Sequence, residues 1–136
     1  MPELLKEDEQ INDIFKLFKR AREAKETSQY NRAENILNKI LKIEPGNLRA
    51  LAMLCATLRD NQEPERALQV TEPHKNQGNE FLATSRAAAF CDLEQWRDAY
   101  IEARKAYAIA GKGHDAISII FNRIRGAAPE LFEKDS

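Results

Sequence analysis

Apolar residues recur along the chain at intervals of three and four, the spacing of an amphipathic helix, and no segment alternates with the period of two that a strand requires. Clusters of helix-breaking residues separate the periodic segments at positions 26–28, 44–47, 60–62, 77–79 and 111–113. The segments between them are rich in residues that favour helix. The pattern predicts an all-α chain with helices near residues 8–27, 30–43, 47–60, 64–76, 79–92, 95–110 and 114–126.

Small and apolar residues recur in a single register along these predicted helices. Ala33, Ala67 and Ala99 lie in the second helix of three successive pairs, at spacings of 34 and 32 residues. Three series in the first helices have the same spacings, namely Leu17, Leu51 and Ala83, then Ala21, Cys55 and Ala87, then Ala24, Leu58 and Phe90. Since four series share one register, we predict three repeated helix pairs. The two-residue shortening between Ala67 and Ala83 is assigned to Pro73, which ends or kinks a helix.

This register resembles that of the tetratricopeptide repeat family, in which antiparallel helix pairs stack into a right-handed superhelix. The resemblance covers residues 14–124 and is carried by Leu17, Ala21, Tyr30, Ala33, Leu37, Pro45, Leu51, Cys55, Leu58, Ala67, Ala87, Phe90, Trp96, Ala99, Ala103 and Ala106. The second unit departs from the family pattern at Thr71 and His74, where a bulky apolar residue and a small residue are usual. We therefore expect an irregularity in the second pair, and a plain helical bundle is the competing architecture.

The resemblance implies one domain over residues 1–136, with repeats at about 14–47, 48–79 and 80–113, a capping helix at about 114–126 and a tail at 127–136. Stacked repeats need a cover on the last pair, because no single pair buries its own apolar surface. Ile117, Ile120, Phe121 and Ile124 recur at helical spacing in the last predicted helix, which is therefore interpreted as that cover.

The resemblance also implies a concave groove lined by the first helix of each pair. Helical-wheel arithmetic places Phe15 and Phe18 on a different face from Leu17 and Ala21, so the first helix carries apolar surface beyond its core stripe. Carried forward in register, this face predicts a small, apolar and locally basic groove floor made of Phe15, Phe18, Arg22, Arg49, Ala52, Ala56, Arg59, Phe81, Thr84 and Ala88. Such a surface suits an extended or helical peptide with bulky apolar anchors and acidic character. In the opposing interpretation the phenylalanines pack under the N-terminal segment and the arginines are solvated.

Charge and composition narrow the classes of partner. The 21 basic and 22 acidic residues give a net charge of −1, which provides no global field for nucleic acid or an anionic membrane. Asp13, Glu23 and Glu26 flank or interrupt the basic run from Lys16 to Lys25, which argues against nucleic-acid binding. No stretch approaches the roughly 20 apolar residues of a membrane span, and the acidic N-terminal sequence does not resemble a targeting peptide. With Cys55 and Cys91 predicted to be buried free thiols, we expect a cytoplasmic protein.

Catalytic patterns are lacking in the sequence. His74 and His114 are isolated from other residues at metal-ligand spacing, so we predict no catalytic residue, no metal and no cofactor. The predicted function is a non-enzymatic protein–protein interaction module or adaptor that binds a peptide or protein segment in the groove. The alternatives are a small cytosolic chaperone for a secreted or assembly subunit and a homo-oligomerisation element. A homodimer is considered because Ile119, Leu131 and Phe132 predict an apolar patch near the C-terminal end.

Overall fold

A computed structural model describes residues 2–111 and 115–133, so that His114 lies outside the described residues. Within those ranges there is no strand, and the all-α prediction is confirmed. The helices described are α1 (Pro2–Glu26), α2 (Tyr30–Ile43), α3 (Leu48–Asp60), α4 (Pro64–Thr71), α5 (Glu80–Asp92), α6 (Trp96–Ala110), α7 (Asp115–Ala127) and α8 (Glu130–Glu133). A 3₁₀ turn (Glu72–His74) follows α4.

The helices pack on their neighbours in the order of a stacked repeat. α1 packs on α2, α3 on α4 and α5 on α6, and these three pairs are joined mainly through contacts of α3 with α2 and α5. α7 lies against both α5 and α6 and covers the last pair. The arrangement leaves α1, α3 and α5 as the first helices of successive pairs, along one side of the stack.

Small residues at the register positions form the contacts between helices. Ala21, Ala33, Ala67, Ala87 and Ala99 are all fully buried, which lets helix axes approach closely. Larger apolar side chains, among them those of Leu37, Ile40, Leu54 and Leu58, fill the space between the helices. Cys55 and Cys91 are free and buried among them, as the sequence predicts. Burial raises the pKa of the Cys55 thiol to about 12.

The turn inside each pair has the same backbone geometry. Ser28, Gln62 and Glu94 adopt positive φ angles of 60°, 62° and 59°, and they are separated by 34 and 32 residues. The residue after each of them donates its backbone N–H to a carbonyl oxygen five residues earlier, at 2.7, 2.8 and 2.9 Å. This is the hydrogen bond of a helix C-cap closed by a left-handed residue. The backbone thus shows the same repeat register as the side chains.

The second pair is irregular at the end of α4. The sequence predicts a helix over 64–76, but α4 ends at Thr71 because Pro73 cannot donate a backbone hydrogen bond. The side chain of Arg86 on α5 reaches this end, although only 1% of its surface is exposed. Its Nη1 donates to the carbonyl oxygen of Leu68 at 2.9 Å and to Oγ1 of Thr71 at 2.7 Å, and its Nη2 donates to Oε2 of Glu72 at 2.7 Å. The shortened helix is therefore completed by a side chain of the next pair.

The chain termini differ from the predictions. α1 begins at Pro2 rather than near residue 8. The segment predicted as a tail contains α8, because Leu131 and Phe132 pack against the core around α5, α6 and α7. The predicted C-terminal apolar patch is accordingly wrong for these two residues, which are half-buried, whereas Ile119 is 61% exposed.

Candidate functional site

A groove of about 630 Å³ runs across the inner side of the stack. α1, α3 and α5 contribute its walls and floor, and Asn79, the N-cap residue of α5, closes one edge. Its lining includes five of the predicted groove residues, namely Arg22, Arg49, Ala52, Ala56 and Phe81. The structure therefore brings together side chains from three successive pairs on one concave surface.

A smaller recess of about 180 Å³ adjoins the groove and shares Arg22 and Arg49 with it. Phe15 and Phe18 line this recess, but they differ in accessibility. Phe15 is 73% exposed, whereas Phe18 is only 5% exposed and belongs to the core between the first helices. The Arg49 guanidinium covers the Phe18 ring at 4.4 Å from the ring centroid. Phe18 is thus the buried base of the recess, and the prediction that it is an accessible groove residue is corrected, because it packs in the core.

Three predicted groove residues lie elsewhere. Arg59 donates from Nε and Nη2 to the Asp92 carboxylate at 2.7 and 3.2 Å, beside α4 and away from the groove lining. Thr84 is buried, and its hydroxyl donates to the Glu80 carbonyl oxygen at 2.6 Å. Ala88 is buried in the core near α6 and α7. The prediction that these side chains form the groove floor is corrected, because packing and an ion pair between helices engage them.

The groove is electrostatically uneven. Arg22 and Arg49 have no ion pair with any carboxylate of the described residues. Further along the groove, Lys25 on α1 and Asp60 on α3 form a salt bridge of 3.3 Å. The groove therefore has a basic part at the two arginines and a charge-balanced part at the end of α3.

Several groove residues are not among those predicted from the sequence. Met53 and Ser85 follow predicted residues by one position on α3 and α5, so a wider helical arc would include them. Asn79 carries a sequence signal of another kind, because it opens α5 as an N-cap whose side chain accepts the Leu82 backbone N–H at 2.8 Å. Lys25 and Asp60 are close only after the helices stack. Their pairing has no signal within a single helix.

A second cavity of about 500 Å³ lies between α6, α7 and α8. The rings of Tyr100, Phe121 and Phe132 meet there edge to face, with centroids 5.0 to 6.2 Å apart. The Arg125 guanidinium covers the Phe132 ring at 4.5 Å. These contacts fasten α8 to the capping helix and bury part of the surface that the sequence leaves exposed.

In the part of the chain that the structure describes, no three His, Cys, Asp or Glu side chains are grouped so that they could hold a metal ion. None of the helices within residues 2–111 and 115–133 combines the length and apolar character needed to cross a bilayer.

Comparisons with known proteins agree with this architecture. The sequence model of the tetratricopeptide repeat matches residues 24–90. The crystal structure of the P58(IPK) TPR domain superposes with a TM-score of 0.74 at 17% identity, over 90% of this chain and 36% of that one. The Arabidopsis OM64 TPR domain gives a TM-score of 0.65 at 15% identity, over 86% of this chain and 98% of that one. This chain thus spans about a third of the P58(IPK) chain, and no curated protein sequence matches it.

These likenesses identify the fold as the predicted superhelix of antiparallel pairs rather than a plain bundle. The tetratricopeptide fold is in general a protein–protein interaction module. The four series of register residues, the recurring left-handed turns and the family match lead to one conclusion. The chain belongs to the tetratricopeptide repeat family.

Proposed function

We propose that the chain is a binding module or adaptor that holds an acidic, apolar segment of a partner protein in the groove between α1, α3 and α5. The observation that carries this proposal is the pair Arg22 and Arg49, which have no ion-pair partner among the described residues and flank an apolar floor. A guest carboxylate would supply the missing partner.

The apolar part of the groove favours a guest with a bulky side chain. Ala52 and Ala56 have small side chains, so the floor between α1 and α5 leaves space above the helix backbone. Phe81 is 55% exposed at the edge of this floor and offers an aromatic surface. Large apolar anchors that fill such pockets supply most of the binding energy in peptide recognition.

The charges of the groove set the direction of the guest. A guanidinium binds a carboxylate through two parallel hydrogen bonds, so the acidic residue of the guest is expected at Arg22 and Arg49. Asp60 is already paired with Lys25, and Glu26 also lines the far part of the groove. An acidic residue of the guest would be repelled there. The guest therefore carries its negative charge at the arginine end and a neutral or basic residue at the other.

Selection from a random peptide library displayed on phage tests this proposal with a defined probe. We expect the recovered peptides to combine Asp or Glu with a Leu, Phe or Trp. Arg49→Glu should weaken the binding of the recovered peptides, raising Kd at least about tenfold, which corresponds to about 1.4 kcal/mol. Ala56→Trp should do the same by filling the floor. Arg32→Glu makes the same charge change on an exposed position of α2 and should leave the affinity unchanged.

Equal affinity of the recovered peptides for the wild type, Arg49→Glu and Ala56→Trp proteins would contradict binding in this groove. Circular dichroism establishes that the variants are folded.

Phe18→Ala is unsuitable as a test of binding, because Phe18 is in the core and truncating a buried Phe costs about 3–5 kcal/mol of stability. An adaptor and a small chaperone would use the same surface, and they differ in whether the guest is a folded protein's segment or an unassembled subunit.

A further inference from the structure

The inner surface of the stack continues beyond the groove onto α7. Lys19, Met53 and Ser85 occupy one register position on α1, α3 and α5, at spacings of 34 and 32 residues. Lys19 lines the recess, and Met53 and Ser85 line the groove. Ile119 follows Ser85 by 34 residues and lies on α7. Because a repeated position meets the same surroundings in each repeat, the register places Ile119 on the inner surface.

The packing of α7 follows the same register. Ile117 and Ile124 come 34 residues after Ala83 and Phe90 of α5, and both are buried. Ile117 packs in one core cluster with Ala83, and Ile124 packs in another with Phe90. α7 therefore turns the same face toward the core as α5 does. Ile119 is 61% exposed, which makes it an accessible apolar side chain next to the groove.

The inner surface has opposite charges at its two ends. Arg49 and Phe81 line the groove at a second shared register position, and Asp115 follows Phe81 by 34 residues at the start of α7. Asp115 is exposed and forms no ion pair with a described residue. The surface is thus basic at Arg22 and Arg49 and acidic at α7. A complementary guest is acidic at one end and basic at the other.

Polar groups on α5, between these two ends, favour an extended guest. The Ser85 hydroxyl lines the groove and has no hydrogen-bond partner among the described residues. The side-chain oxygen of Asn79 accepts the Leu82 backbone N–H, whereas its Nδ2 donates to no residue that the structure describes. An extended chain needs partners for its backbone N–H and C=O groups, but a helix satisfies most of them internally.

We infer that the acidic guest crosses α5 in an extended conformation and packs a second apolar side chain on Ile119. This inference rests on the proposed function and deepens it by giving the guest a length and a second anchor. α3 packs on α5 and α5 on α7, and packed helices lie about 8–10 Å apart, so α7 is roughly 16–20 Å from α3. An extended chain covers this distance in about five or six residues, at about 3.3 Å per residue. The guest therefore carries Asp or Glu at Arg49 and, about five or six positions away, a second apolar residue with Lys or Arg beside it.

Random peptides of about 12 residues displayed on phage are long enough to cross from α3 to α7. We expect the peptides recovered on the wild type to carry an apolar residue about five or six positions from Asp or Glu. Ile119→Ser should raise the Kd of these peptides at least about tenfold. Ile101→Ser makes the same change at a 49% exposed position of α6 and should leave the Kd unchanged.

A change in the peptide shows whether its second apolar residue contacts Ile119. Replacing that residue with Ala should raise the Kd for the wild type at least about tenfold. The same replacement should have little further effect on binding to Ile119→Ser, because the contact is already lost. Additive effects of the two changes would place the second anchor elsewhere and overturn the inference.

Two comparisons distinguish this inference from the groove function. Normal binding by Ile119→Ser together with weakened binding by Arg49→Glu would overturn the crossing and leave the groove function standing. Normal binding by both variants would overturn both. A concentration-dependent dimer in analytical ultracentrifugation that Ile119→Ser abolishes would assign Ile119 to a contact between two copies of the chain and would also overturn the inference.

Discussion

Replacing Arg86 with Met should strongly destabilise the protein. The side chain is 1% exposed, and Nε lies 3.7 Å from Oε1 of Glu102, which is itself 4% exposed. Its removal leaves the buried Glu102 carboxylate with only the partly exposed Lys105, at 3.2 Å, as a cationic partner. It also takes a donor from the Leu68 carbonyl oxygen and from Thr71. Breaking a buried ion pair on one side costs about 3–5 kcal/mol. This is a large part of the roughly 5–15 kcal/mol that stabilises a domain.

Urea unfolding followed by circular dichroism measures this cost. With a dependence of about 2 kcal/mol per molar urea, the midpoint of Arg86→Met should fall by roughly 2 M. Arg66→Met is the matched control, because Arg66 also bridges two glutamates, Glu34 and Glu63, but its side chain is 45% exposed. Exposed bridges contribute at most about 1 kcal/mol, so the control should move the midpoint by roughly 0.5 M or less.

The double variant Arg86→Met with Glu102→Leu distinguishes the contribution of the buried charges to stability from that of side-chain packing. Removing both charges leaves no uncompensated buried carboxylate, so we expect it to recover a large part of the lost stability. If Arg86→Met shifts the urea midpoint no more than Arg66→Met, the buried network does not hold the end of α4 and the reasoning fails.

Two further predictions concern the core and the turns. Because the pKa of Cys55 is raised from 9.0 to about 12 in the folded state, the unfolded chain loses this proton first. The free energy of unfolding should therefore fall as pH rises above about 9 toward 12, and by less in Cys55→Ala, as urea midpoints at several pH values will show; an equal fall in both proteins would exclude Cys55 as the cause. Gln62→Gly relieves a positive φ of 62° and should stabilise the protein by about 0.5–1 kcal/mol. The same change at Gln69, in the exposed interior of α4, should instead cost about 1 kcal/mol, and stabilisation at both positions would exclude backbone strain as the reason.

The periodic part of the fold could be predicted from the sequence. Ala33, Ala67 and Ala99 are buried as their register requires, since a residue that recurs at one position of each repeat meets the same neighbours each time. The same logic found Ala52 and Ala56 on the groove floor. Regular positions are predictable because their environment is repeated.

The non-periodic parts could not be predicted. Phe18 lies on the border between the groove face and the core stripe, and a helical wheel cannot say which neighbour will cover it. Arg59 was expected in the groove, but its partner Asp92 lies 33 residues away on another helix. Arg86 occupies the register position of the buried Leu54, 32 residues earlier. A charged residue at a position that is apolar in the preceding repeat is the one feature of the sequence that indicates an irregular site here. Its match with Thr71 becomes visible only when the pairs are stacked.

Because Arg86 of α5 completes the end of α4, the second helix pair depends on a residue of the third pair. A fragment that stopped after the 3₁₀ turn would contain every residue of the second pair and still lack the Arg86 donor to the Leu68 carbonyl oxygen. Duplicating or transplanting residues 48–79 would carry the same defect unless Arg86 were supplied by whatever follows. During synthesis the end of α4 therefore lacks this hydrogen-bond donor until α5 has been made.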